Sequence, residues 1–145
     1  MTGWTARLTI DHGELDRQHQ ELFVRVDALL VACAGDGGRV EVVRTVGFLG
    51  DYVLRHFAFE EREMARRGYP RLVEHRGLHA TFAYNLRRIR REIDASGPSS
   101  AMAGNVRRLV VGWLVNHIDR SDRDFAQFVA QSGGPPSPAP SRRVA

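Results

Sequence analysis

No lysine occurs in this chain of 145 residues, so all 21 of its basic side chains are arginine. There is a single cysteine, Cys33, which excludes an internal disulfide framework and fits a reducing compartment. No stretch approaches the ~20 uninterrupted apolar residues of a membrane span. The first eleven residues lack the basic, apolar and small-residue order of a signal peptide. A cytoplasmic protein, off the membrane, is the expectation. Proline is scarce before residue 100, with only Pro70 and Pro98 there, and the other four fall between 135 and 140. Excess charge is also small, at +4, though unevenly placed. Residues 1–65 hold 7 arginines and 11 acids, and residues 66–145 hold 14 arginines and 6 acids. The densest basic cluster, Arg87, Arg88, Arg90 and Arg91, has neither interleaved aromatics nor a nucleic-acid module around it. It reads as a solvated helix face, and no nucleic-acid partner is expected.

What remains between the breakers is long and periodic. Gly35-Asp36-Gly37-Gly38, Gly68-Tyr69-Pro70 and Ser96-Gly97-Pro98-Ser99 are turn signals. They leave four segments, at 14–34, 39–67, 71–95 and 100–131, each long enough for a helix. Pro70 suits a first helical turn, and Ser99 suits an N-cap. Such short connections make neighbours antiparallel, which predicts an all-α, up-down-up-down four-helix bundle over residues 1–131. Residues 1–13 form an N-terminal arm in this reading, with Trp4 packed on the bundle. The Pro/Ser/Gly-rich stretch 132–145 has almost nothing apolar to bury and reads as a disordered tail.

Each segment carries one seam of residues spaced by three and four, as bundle cores require. The first runs Leu15, His19, Leu22, Val26, Leu29, Cys33, and the second runs Val42, Val46, Leu49, Val53, His56, Glu60. The third runs Leu72, His75, His79, Phe82, Leu86, Ile89, Ile93, and the fourth begins Val106, Val110, Trp113, His117. Five of the six histidines and one glutamate thus sit where leucine or valine belongs. One such residue is an ordinary satisfied core histidine, but a buried ion without a partner is destabilising by several kcal/mol. Residues four apart share a helix face, so His56 with Glu60, and His75 with His79, each aim at one spot. A metal site inside the bundle resolves the conflict. Nitrogen and carboxylate donors without thiolate suit Fe, Mn, Zn or Co, and there are more of them than one tetrahedral ion needs. The His-Glu-x-x-His motif of zinc proteases is absent.

Four pieces, Asp16-Arg-Gln-His19, His56-x-x-x-Glu60, His75-x-x-x-His79 and His117-x-x-x-x-Asp122, resemble in order the ligand signature of the hemerythrins, in their bacterial form. The surrounding text agrees: His56-Phe-Ala-Phe-Glu60-Glu-Arg-Glu-Met64, Tyr69-Pro70 before His75, and Trp113-Leu-Val-Asn-His117-Ile before Asp122. The resemblance spans roughly residues 4–130. It implies a cofactor of two iron ions joined by an oxo or hydroxo bridge. His75, His79 and His117 would hold one iron, His19 and His56 the other, and Glu60 and Asp122 would bridge them. One coordination position would stay open on the iron with two histidines. Dioxygen would bind there reversibly, for storage, delivery or sensing, and the protein would not be an enzyme.

Phe23, Phe57, Phe59, Trp113, Leu114 and Ile118 are candidates for an apolar wall around the oxygen position, with ordinary packing as the alternative. Gln18, Asp16, Glu63 and backbone carbonyls are candidates to hold the second nitrogens of the imidazoles. His12 is expected to be exposed and not a ligand, and Cys33 to be an apolar filler. A monomer is expected. Two competing functions are reduction of peroxide or nitric oxide at the same centre, and an interaction module that docks an unidentified protein partner. His117 and Asp122 are five apart, about 140° on an ideal helix. Either the Asp122 side chain reaches sideways to the site, or the backbone widens locally between them as a π-bulge; Phe125 and Val129, in the register of Asp122, favour the widening.

Overall fold

The structure, a computed structural model, describes residues 4–35 and 38–132. After a short 3-10 turn at Ala6–Leu8, three continuous helices follow: α1 (Gly13–Ala34), α2 (Gly38–Arg67) and α3 (Leu72–Ser96). The fourth rod, residues 100–132, is made of three α-helical pieces, α4 (Ser100–Val106), α5 (Gly112–His117) and α6 (Arg123–Ser132). Two π turns join them, Arg107–Val111 and Ile118–Asp122. In both, the backbone bond reaches five residues back, from the Gly112 N–H to the Arg107 carbonyl and from the Arg123 N–H to the Ile118 carbonyl. The expected widening before Asp122 is present, and the earlier one is additional. The helices pack around a closed square, α1 on α2, α2 on α3, and the fourth rod on α1 and α3. This is an all-α four-helix bundle, antiparallel because its connections are short. The expected tail at 133–145 lies outside the described residues.

Local chemistry sets the ends. Ser99 caps α4 by accepting from the Met102 N–H at 3.1 Å. Gly68 closes α2 with φ +68°, a left-handed conformation that glycine adopts without strain, while the Tyr69 N–H reaches back to the Met64 carbonyl at 2.9 Å. Pro70 falls in that turn, two residues before α3 begins, rather than inside its first helical turn.

The seams interlock as the periodicity requires. Leu22, Val26, Leu29, Val42, Leu49, Phe82, Ile93, Val106 and Val110 are fully buried. On the fourth rod the wider turn passes the seam to Leu114, which is 1% exposed, while Trp113 is half-buried beside it. His19 and His75 lie early in α1 and α3, and His56, Glu60, His117 and Asp122 lie late in α2 and the fourth rod. In an antiparallel bundle those ends coincide, so every polar seam residue meets at one end of the core. The N-terminal arm closes that end. Asp16 accepts from the Ile10 and His12 N–H groups at 2.8 and 3.2 Å, and Arg123 donates to the Thr9 and Arg7 carbonyls at 3.2 and 2.5 Å. Trp4 packs on Phe23 with ring centroids 6.0 Å apart. Among the described residues no helix is long and apolar enough to cross a membrane.

Candidate metal centre

Three histidines approach one oxygen of Glu60. Its Oε1 lies 2.5 Å from His75 Nε2, 3.1 Å from His79 Nε2 and 3.8 Å from His117 Nε2. Its Oε2 turns the other way, 3.3 Å from His56 Nε2 and 3.6 Å from His19 Nε2. Asp122 divides in the same sense. Its Oδ1 is 3.2 Å from both His75 and His117 Nε2, and its Oδ2 is 3.0 Å from His19 Nε2. The seven side chains therefore form two adjoining donor groups, Glu60 with His75, His79 and His117, and His19 with His56, Glu60 and Asp122. All seven are buried, Glu60, His19 and Asp122 completely.

The arrangement leaves unmade bonds. Among the described residues, Glu60 Oε2, both Asp122 oxygens, His19 Nε2 and His117 Nε2 are buried without a well-formed hydrogen bond and meet their neighbours only as close charge pairs. Such atoms carry a desolvation penalty that these charge pairs offset only in part. They converge on the space between the carboxylates, and an ion there would satisfy them together. Imidazole and carboxylate donors fit Fe, Mn, Co or Zn, and the split of each carboxylate fits two ions better than one.

The protons of the metal-free cluster report the same crowding. Burial pulls the His19 imidazole down, but the carboxylates of Asp122 and Glu60 beside it more than reverse this, leaving it at about 9. His75 reaches about 9 by the same balance. For His117 burial is overcome first by the charge of Asp122, giving about 10. His56 goes down, because burial outweighs the pull of Glu60. Burial alone would raise both carboxyl groups, and the surrounding imidazoles instead hold Glu60 and Asp122 below the ordinary carboxylate range. Protons occupy the place of cations here, and metal uptake must displace them.

Aromatic rings fix two of the imidazole planes. Phe57 stacks on His79 with centroids 3.7 Å apart and planes within 4°, and Trp113 stacks on His117 at 4.4 Å and 15°. Phe23, Leu114 and Ile118 are almost wholly buried, at 1% exposure or less. Phe59 is half-buried and makes no ring contact with the histidines among the described residues. Of the acceptors expected for the second ring nitrogens, Gln18 takes that place, its Oε1 2.8 Å from His56 Nδ1. Asp16 serves the arm instead. Glu63 binds Arg66 at 2.9 and 3.0 Å. The acceptor for His79 is Glu61, 2.8 Å from its Nδ1. Spacing along α2 gave no signal of it, because the contact crosses to α3.

His12 corrects the expectation of an exposed side chain. It is 2% exposed and caps α1, its Nδ1 accepting from the Leu15 N–H at 3.3 Å. Asp16 folds the arm back, which carries His12 against Glu63, 3.7 Å from its Nε2. It belongs to neither donor group. Cys33 is buried at the far end of α1, and burial pushes its thiol up, as expected of a filler.

Comparison with known proteins agrees with this geometry. The family model of the hemerythrin HHE cation binding domain matches residues 11–129. A bacteriohemerythrin of Methylococcus capsulatus is 31% identical over 123 residues, covering 85% of this chain and 92% of its own. A bacteriohemerythrin of Stenotrophomonas maltophilia is 29% identical over 126 residues, covering 87% and 80%. A crystal structure of wild-type hemerythrin superposes with a TM-score of 0.76 at 30% identity, covering 88% of this chain and 95% of that one.

Proposed function

The chain belongs to the hemerythrin family, and on that premise we propose that it binds dioxygen reversibly at a non-haem di-iron centre. The observation that carries this reading is the division of Glu60 and Asp122, each with one oxygen toward His75 and His117 and the other toward His19. In this reading His75, His79 and His117 would hold one iron, His19 and His56 the other, and Glu60 and Asp122 would serve both. Two irons held there would supply the electrons that dioxygen takes up and returns. The protein's own part is to hold and exclude. The second group has two imidazoles against the first group's three, so dioxygen would be received beside His19 and His56. Phe23, Leu114 and Ile118 bring apolar atoms to this end of the core, and Trp113 covers His117. A dry surround disfavours loss of bound oxygen in charged form, because a charge is poorly solvated there.

The reading makes the chain a monomeric, cytoplasmic carrier or sensor rather than an enzyme. Its test is metal analysis and visible absorption of the purified protein with and without oxygen. Two irons per chain and an oxygen-dependent band that reverses on degassing are expected. One zinc per chain without such a band would sink the reading, and continuous oxygen turnover would move it to the enzyme class.

A further inference from the structure

The outer nitrogens of the imidazoles are held unequally on the two sides of the centre. His79 Nδ1 lies 2.8 Å from Glu61 Oε2, and the other Glu61 oxygen accepts from Arg76 Nε at 3.1 Å. A carboxylate only accepts, so a proton is held on Nδ1, and Nε2, which faces Glu60 Oε1 at 3.1 Å, is the nitrogen left to a metal. On the other side His56 Nδ1 meets Gln18 Oε1, a neutral acceptor. Gln18 Nε2 donates to Glu14 Oε1 at 3.0 Å, and since Glu14 cannot donate, the amide is fixed with its oxygen toward His56. His19 Nδ1 is buried with no hydrogen-bond partner among the described residues.

These differences have an electronic consequence. A hydrogen bond from imidazole to carboxylate is roughly twice as strong as one to a neutral acceptor. It also raises the basicity of the opposite nitrogen, which is the metal-binding one. An amide orients the ring without adding negative charge, and an unpaired Nδ1 does neither. We infer that Glu61 is a positioning residue that makes the His75, His79, His117 and Glu60 group the tighter of two metal sites. A first divalent ion fills that group, and the His19, His56, Glu60 and Asp122 group stays the weaker, more exchangeable one. Glu61 suits the role because it stands next to Glu60 on α2 and reaches α3, where Arg76 and His79 are three apart on one face. Arg76 steadies the carboxylate, and the half-buried position of Glu61 keeps its charge from full solvent screening. The inference rests on the two-ion reading above.

The test is titration of metal-free protein with Co²⁺ against a chromophoric chelator, in the wild type, Glu61→Gln and Arg76→Gln. Two separable affinities are expected in the wild type. Glu61→Gln keeps an acceptor of the same shape without its charge. It should weaken the tighter site about 10- to 100-fold and leave the weaker site and the melting temperature of the metal-free protein nearly unchanged. Arg76→Gln breaks the same ion pair but keeps the carboxylate, so its tighter site should stay within about threefold of wild type. Unchanged affinity in Glu61→Gln, or equal weakening at both sites, overturns the role of Glu61. A matching loss in Arg76→Gln also overturns it, since the effect then belongs to the α2–α3 ion pair. If the wild type binds one ion only, the two-ion reading fails, while the effect of Glu61→Gln on that single ion still judges Glu61.

Discussion

Phe57 lies flat on His79, its ring centroid 3.7 Å from the imidazole and the planes within 4°. The two residues sit on neighbouring helices, and the stack fixes the rotation of a ring that also bonds Glu61 and Glu60. Phe57 further meets Phe82 edge-on at 5.8 Å. Phe57→Ala should therefore lower the stability of the metal-free protein by about 3–5 kcal/mol. It should also free His79 to rotate and reduce metal affinity. Urea unfolding and metal titration measure the two effects, and a loss below about 1 kcal/mol would show that the site collapses around the cavity.

Asp122 and Glu60 make different contributions to the two donor groups. Both reach both groups, but Glu60 approaches all five imidazoles, whereas Asp122 approaches three and matters most to the group with His19 and His56, which has one imidazole fewer. Asp122→Asn is expected to leave one tightly held ion per chain, and Glu60→Gln to leave none held tightly. Stoichiometry after desalting distinguishes them, and two ions retained by Asp122→Asn would exclude Asp122 as a ligand.

The metal-free protein should lose stability as pH rises. His19 and His75 titrate at about 9 and His117 at about 10 in the folded chain, against 6.5 unfolded. Groups raised on folding stabilise fully below the unfolded value, and the effect disappears as pH passes the folded value. His56 is shifted downward and works oppositely, but it is one against three. The melting temperature should fall by more than about 5 °C between pH 7 and pH 10. Metal-loaded protein, whose imidazoles carry an ion instead of protons, should show much less of this slope. Equal slopes for both forms would contradict the assignment.

Arg123 ties the N-terminal arm to the helix that carries Asp122, through the Thr9 and Arg7 carbonyls. Arg123→Ala should release the arm at a cost of roughly 1 kcal/mol, since these bonds face solvent. Hydrogen exchange at Leu8, Thr9 and Ile10 should speed up while the core of α2 stays protected. Unchanged exchange there would mean Asp16 alone holds the arm.

Much of this protein is local and could be read along the chain. Periods of three and four place His19, His56, Glu60, His75, His79 and His117 on inward faces, because a helix repeats every 3.6 residues whatever it packs against. The five-residue step to Asp122 leaves either a sideways reach or a π turn, and the structure has the π turn, in which one extra residue per turn aligns both ends. Ser99 at a helix start and Gly68 at a helix end carry their conformations in their own chemistry. Tertiary structure alone decided what one helix presents to another. Glu61 reaches His79 only because α2 and α3 have a particular rotation and stagger, and no spacing within α2 encodes that. His12 is buried because the arm folds back onto Asp16, a contact that solvates nothing in the unfolded chain and has no periodic signature. The division of Glu60 and Asp122 between two groups of histidines belongs to the same class. It depends on ångström-scale placement of four helices, set by how leucine, valine and phenylalanine side chains fill the other half of the core.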